Sequence, residues 1–267
     1  MESDTAAADT PEILAQQRLT TWRKRVEKEL AAATPAGGTT PAFETLRTSL
    51  REGFALEPLY VSAAYAAHVA AATTKLVREA PSADDVVVDL RVRVNENAAE
   101  QLAAGLLWLV SVARDEGIER VIVQISVGVD ILLEIAKLRA LRRVTSRLFE
   151  LVAGASGPTL VVHAFTAFAT AADLATNLIG NSASVFAAIA GGADAVTPLA
   201  HSSSSEHVRL ADNVARLALH EAHLAAVSDP AAGSYALESL TAALCGAAWE
   251  KFQRVFSATA KTQEASR

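Results

Sequence analysis

From residue 86 onward, this 267-residue chain alternates short Val- and Ile-rich runs with longer apolar stretches of helical period, and few folds satisfy that order. Val86–Val94, Arg120–Val127, Thr159–Thr166 and Ala195–Ala200 read as strands. Asn97–Glu116, Asp130–Val152 and Asp173–Ala190 read as the helices between them, with two more helices over about 206–227 and 235–257. Strands separated by helices of this length form parallel β-α units with right-handed crossovers. Two architectures remain: an open doubly wound sheet, or part of a (β/α) barrel.

The first 80 residues have a different texture. A ragged tail over 1–10 precedes a helix from Pro11 to Ala33, where Ile13, Leu14, Leu19, Trp22, Val26 and Leu30 keep helical spacing. Thr34–Pro41 is a linker by its Pro and Gly content. A short helix over 42–52, an extended piece over 54–60 and a helix over 63–80 closed by Pro81 complete this part. The division is an N-terminal helical segment over 1–80, with its linker at 34–41, an α/β unit over 81–260 and a polar tail over 261–267.

Composition narrows the function class. Thirty acidic residues against 24 basic ones give a net charge of −6, which argues against a nucleic-acid partner. Cys245 is the one cysteine, so an internal disulfide and a C-x-x-C site are excluded. The acidic start Met1-Glu2-Ser3-Asp4 has no secretory h-region, and the apolar run Leu102–Ala113 is too short to cross a bilayer. The expectation is a cytoplasmic globular protein with no membrane partner.

Side chains alternate across a strand, so parity sorts the polar ones. Asp89, Arg91 and Arg93 share one face of the first strand and Gln124 and Ser126 one face of the second, while His163 sits in the third and His201 just beyond the fourth. Ligands bind at the C-terminal ends of strands in β/α folds. Two readings stand. Asp89 and Arg91 form a structural ion pair, or the group forms an anion site with His163, His201 or Asp89 moving protons and Arg91 and Arg93 binding charge.

Other motifs carry less. His220 and His223 are three apart, against the four that a zinc helix requires. Ser202–Ser205 lacks a nucleophile elbow, so it reads as a loop, and no metal site is expected. Lys137, Arg139, Arg142, Arg143 and Arg147 make a basic helix. Arg139, Arg143 and Arg147 are placed on its solvent face, and the cluster offers a contact for coenzyme A or carrier-arm phosphates.

Several segments resemble the barrel domain of the coenzyme B12-dependent methylmalonyl-CoA mutase family. Asp229-Pro230-Ala231-Ala232-Gly233-Ser234-Tyr235 is similar to the family's Asp-Pro-x-Gly-Gly-Ser-Tyr motif, with Ala232 in place of a Gly. Ile135-Ala136-Lys137-Leu138-Arg139-Ala140 with Arg142-Arg143 resembles its Ile-Ala-Lys-Phe-Arg-Ala-x-Arg helix. Phe186-Ala187-Ala188 followed by Gly191-Gly192-Ala193-Asp194-Ala195 resembles the approach to its last barrel strand. Trp22, Val26, Glu27 and Glu57-Pro58-Leu59-Tyr60 resemble the opening of the family's chains.

The resemblance implies a partial TIM-barrel-like α/β fold of about four parallel strands with flanking helices, plus N-terminal helices. Only residues 61–85 stand where the family carries its first barrel half. The family's Tyr-His pair and its Asp-x-His-x-x-Gly cobalt-ligand motif have no counterparts here, and its Arg-Asn-Thr-Gln segment is reduced to Asp212-Asn213-Val214-Ala215. The expectation is therefore a chain that binds no cobalamin by itself, though it could take the coenzyme A moiety of a substrate. It would be an isomerase- or lyase-like enzyme working on an acyl thioester by polar acid–base chemistry. The alternative is a non-catalytic auxiliary or small subunit of a mutase. Four strands cannot close a barrel that takes eight. Each apolar inner side chain left wet forfeits about 1.5–3 kcal/mol, and open edges invite association. Completion by a homodimer, by a partner chain or by the N-terminal helices is expected, the homodimer first.

Overall fold

The computed structural model describes residues 11–34, 38–39, 43–50, 53–61, 74–77, 81, 85–91, 97–115, 117–154, 157–167 and 173–265. Its centre is a five-stranded, wholly parallel sheet of β3 (Lys75–Leu76), β4 (Val86–Asp89), β5 (Arg120–Val127), β6 (Thr159–Thr166) and β7 (Ala195–Thr197), in spatial order β3-β7-β6-β5-β4. The crossovers are α2 (Ala98–Ala113), α3 (Ile131–Val152) and α4 (Leu174–Ala190). Each starts on a side chain that occupies an orphan helix amide: Asn97 on Ala99, Asp130 on Leu133, Asp173 on Thr176.

Strands β4 to β7 follow one another in sequence and in space, and α2, α3, α4 and α5 (Ser205–Arg216) pack each against the next. A doubly wound sheet would reverse its order and carry helices on both faces. The continuous order is that of a barrel wall. Val121, Val123, Ile125 and Val127 of β5 face the helices in the main core, with Val88, Val162, Ala164 and Val196 beside them. α6 (Tyr235–Ala265) forms an outer layer against α2 and α3.

The expected run of about four parallel strands is present, and a fifth joins it. Residues 75 and 76 were placed in a helix over 63–80. They pair instead with β7, Lys75 opposite Ala195 and Leu76 opposite Val196. Residues 62–73 and 78–80 lie outside the described residues. β3 precedes the run in sequence yet sits at its far edge, as the first strand of a closed barrel sits beside the last. Closure would need three more strands between β3 and β4. A βαβ unit takes about 30 residues, and only residues 77–85 are available. The wall is five-eighths of a barrel, and it is not closed.

Other differences are local. The helix expected over 42–52 is a 3₁₀ turn at Phe43–Leu46 followed by an antiparallel pair, β1 (Thr48–Ser49) with β2 (Ala55–Leu56), turning at Gly53 with φ 86°. The N-terminal helix α1 (Pro11–Ala33) forms as read, and its Trp22 meets Phe43 edge-on at 5.7 Å. The helix expected over 206–227 ends at Arg216. It loosens into a π turn over Leu217–Glu221 and breaks at His223, whose φ is 51°. The tail expected from Lys261 is helical to Ala265.

The basic face of α3 is solvated at Arg147, whose side chain is 62% exposed, but not at Arg139 or Arg143. Arg139 is 5% exposed, because α6 lies over it. Its guanidinium donates to Glu238 at 2.6 Å and Asp229 at 3.1 Å, and Arg143 reaches the other Glu238 oxygen at 2.7 Å. Arg142 donates to the Asp194 carboxylate at 2.7 Å, and that carboxylate also accepts the Val162 amide at 2.7 Å. The Asp-Pro-x-x-Gly-Ser-Tyr segment therefore fastens the outer helix to the barrel wall. Among the described residues no helix is long and apolar enough to cross a membrane.

Candidate functional site

The face of the sheet turned away from the helices carries the polar residues, as strand parity predicts. Register places Asp89 beside Gln124, Gln124 beside His163, His163 beside Ala195, and Ala195 beside Lys75, one row across all five strands. Below it Val87, Ile122 and Val161 form an apolar row. Above it Ser126, Phe165 and Thr197 are level.

Asp89 and Arg91 close on each other. The guanidinium donates to both carboxylate oxygens, at 3.0 and 2.6 Å, and the Arg91 amide adds a third bond at 2.9 Å. These hydrogen bonds hold the Asp89 carboxyl below its usual range and raise the guanidinium further. Arg91 also lies 4.5 Å over the Phe165 ring. The Ser126 hydroxyl donates to the Arg91 carbonyl at 2.8 Å, tying the end of β4 to β5.

His163 is 4% exposed, with Nε2 2.8 Å from the Thr197 hydroxyl and its ring 4.2 Å from that of Phe165. Burial, with the Arg91 charge second, pushes its pKa down to about 4, so the imidazole is uncharged at neutral pH. The Thr197 hydroxyl donates onward to the Val77 carbonyl. Gln124 is also 4% exposed, yet its carboxamide makes no hydrogen bond to a described residue.

The remaining candidates lie elsewhere. Lys137 is 5% exposed beneath α3, and its ammonium donates to the Ser126 carbonyl at 2.8 Å, beside Glu134 at 2.5 Å. His201 stands past β7 with its ring 5.2 Å from His207, and its Nδ1 is buried with no partner among the described residues. Arg93 falls outside the described residues. The Ser202 hydroxyl bonds His207 Nδ1 at 2.7 Å and Ser204 caps α5, so the serine run is a helix-capping loop. No cluster of His, Cys, Asp or Glu among the described residues is arranged for a metal. A separate cavity of ≈ 590 Å³ outside the wall, between α3 and α6, is lined by Arg143, Leu151, Cys245 and Trp249. Sequence reasoning passed over Phe165 and Thr197. Each stands two positions after a member of the row, so the same parity would have found both.

An incomplete parallel barrel wall with helices outside and a polar row inside defines a class: an α/β protein with an open, (β/α)-barrel-like fold. Comparison narrows it. Residues 103–263 match the family described as Methylmalonyl-CoA mutase, more than half of the chain, and the chain belongs to that family. It is 35% identical over 175 residues to the methylmalonyl-CoA mutase small subunit of Streptomyces virginiae, covering 60% of this chain and 28% of the relative. It is 28% identical over 204 residues to the methylmalonyl-CoA mutase small subunit of Propionibacterium freudenreichii subsp. shermanii, covering 68% and 32%. The aligned part of this chain thus spans about a third of these relatives or less.

Proposed function

We propose that this chain is an auxiliary subunit of a methylmalonyl-CoA mutase-type isomerase, its polar row forming one wall of an acyl-thioester pocket that another chain completes. One observation carries the reading: β3 and β4 lie at opposite edges of a wall that residues 77–85 cannot bridge. The relatives named small subunits support it. So does the closure of Asp89 on Arg91, which leaves the strongest charges of the wall engaged with each other. These 267 residues offer no corrinoid ligand set, since they carry no Asp-x-His-x-x-Gly cobalt-ligand motif.

The test is mixing with a methylmalonyl-CoA mutase large subunit, followed by light scattering coupled to size exclusion. A heteromer with defined stoichiometry is expected. A species of 28.0 kDa, alone and in the mixture, overturns the reading, and a stable homodimer that ignores the large subunit overturns it equally.

A second reading rests on His163. An uncharged imidazole on the inner wall can accept a proton, so a cobalamin-independent, polar isomerisation or lyase reaction on an acyl thioester is the enzymatic alternative. Turnover of a thioester by the purified chain, lost in His163→Gln, would favour it over the auxiliary role.

A further inference from the structure

We propose that the cleft between α3 and α6 is a binding site for an amphipathic carboxylate, its apolar body laid along the cleft floor and its anionic head held by Arg143 and Arg147. The site lies outside the barrel wall and does not rest on the auxiliary reading above.

Each helix gives one face to the cleft. α3 supplies Arg143, Arg147 and Leu151, and α6 supplies Cys245, Gly246 and Trp249, both sets at helical spacings. The volume of ≈ 590 Å³ falls within the range of about 300–1,000 Å³ that small-molecule sites occupy, and its mainly apolar lining with a few polar groups is the composition such sites share.

Gly246 gives the cleft its depth. A Cβ built there meets nothing within 4 Å, and the residue stands in the interior of a 31-residue helix, which a glycine weakens. No neighbour in this chain requires the missing side chain. A ligand lying against the α6 backbone does. One turn further on, Trp249 stands 5.4 Å from the Phe252 ring and offers a broad apolar side to the same floor.

The lining chooses the ligand's charge, since it holds two cations and no anion. Arg143 donates through one terminal nitrogen to Glu238 at 2.7 Å. Arg147 reaches Glu150 at 3.3 Å, with both side chains more than 60% exposed. An exposed pair of that kind contributes little and yields to a better acceptor. The two guanidinium groups are four residues apart on α3, so they share a face and can converge on one carboxylate, whose two oxygens match the arginine fork. An alcohol of the same length gains only the floor, and an amine meets like charge.

The experiment is isothermal titration calorimetry of the purified chain with decanoate, decanol and decylamine, each kept below its aggregation concentration. Decanoate should bind one to one and at least about tenfold more tightly than decanol, the scale of one hydrogen bond to a charged group, with decylamine the weakest. Gly246→Leu, which fills the floor, should weaken decanoate at least about tenfold. Arg147→Gln should bring decanoate down to the affinity of decanol; its side chain is exposed, so this variant keeps the test intact should Gly246→Leu not fold. Bound decanoate should also slow alkylation of Cys245 by iodoacetamide at pH 8. No decanoate binding, equal affinity for decylamine, or binding that ignores both substitutions overturns the inference. Alkylation slowed by a mutase large subunit but not by decanoate assigns the cleft to a partner chain and overturns it equally. The calorimetry uses this chain alone, so the inference and the heteromer fail separately.

Discussion

His163 Nε2 and the Thr197 hydroxyl lie 2.8 Å apart on neighbouring parallel strands, and the hydroxyl passes its own proton to Val77 on the next segment. One imidazole is thereby linked, through a hydroxyl and a backbone carbonyl, to three adjacent segments of the sheet, and its protonation state becomes a property of the fold.

That property has a pH signature. The unfolded imidazole titrates near 6.5 and the folded one at about 4, so between these values the unfolded chain holds a proton that the folded chain refuses. The stabilising contribution is intact above pH 6.5 and drains away as pH falls to 4. Melting temperature should fall with acidification across this window, and His163→Gln should flatten the part between 6.5 and 4.5, above the carboxylate range. Scanning calorimetry at half-unit pH steps checks it; identical slopes in both proteins contradict it.

Glu238 is 1% exposed and serves two guanidinium groups, Arg139 and Arg143, which keep its carboxyl below the ordinary range against the opposing pull of burial. Glu238→Ala leaves the 5%-exposed Arg139 without its shortest partner and should cost about 3–5 kcal/mol in urea unfolding at neutral pH. The wild-type contribution is present above the carboxyl's unfolded value of 4.5 and is lost as pH drops through the lower folded value.

Gly191 closes α4 where a Cβ would stand 2.9 Å from the Ala187 carbonyl oxygen and 3.0 Å from Leu138 Cβ. Neither atom can move cheaply. Gly191→Ala should destabilise by about 1–3 kcal/mol, despite alanine's better helix propensity. Gly246 meets nothing within 4 Å, so Gly246→Ala in α6 should raise stability by about 1 kcal/mol, and paired denaturant melts distinguish the two.

Burial pushes the Cys245 thiol up to about 11. At pH 8 alkylation by iodoacetamide should run roughly 100-fold slower in the folded chain than in urea, since the thiolate is the nucleophile. Equal rates would show that the helix layer above Ala140 opens freely.

The sheet was readable because its strands are rich in β-branched residues and their helices begin on Asn97, Asp130 and Asp173, each a capping side chain. Parity then gathered Asp89, Gln124 and His163 with no coordinates. β3 was hidden because two residues, Lys75 and Leu76, have no period of their own and gain a strand's geometry only from β7. Arg139 and Arg143 of α3 were misplaced for a related reason, while Arg147 is exposed as read. Helical periodicity shows which face is basic but not what will cover it, and the covering helix begins at Tyr235, far along the chain. His201 was grouped with His163 as an acid–base candidate because it follows the fourth strand, but its ring lies beside His207.

The seat of Lys75–Leu76 against Ala195–Val196 bears on the order of assembly. Contacts between neighbours in sequence form early, whereas a contact spanning this much chain waits until the intervening loop is organised. β4 to β7 can pair one after another as synthesis proceeds, but the segment made first is docked last. A ribosome-tethered chain ending before residue 195 should therefore leave the stretch around Lys75 open to protease, and chains released beyond Thr197 should protect it.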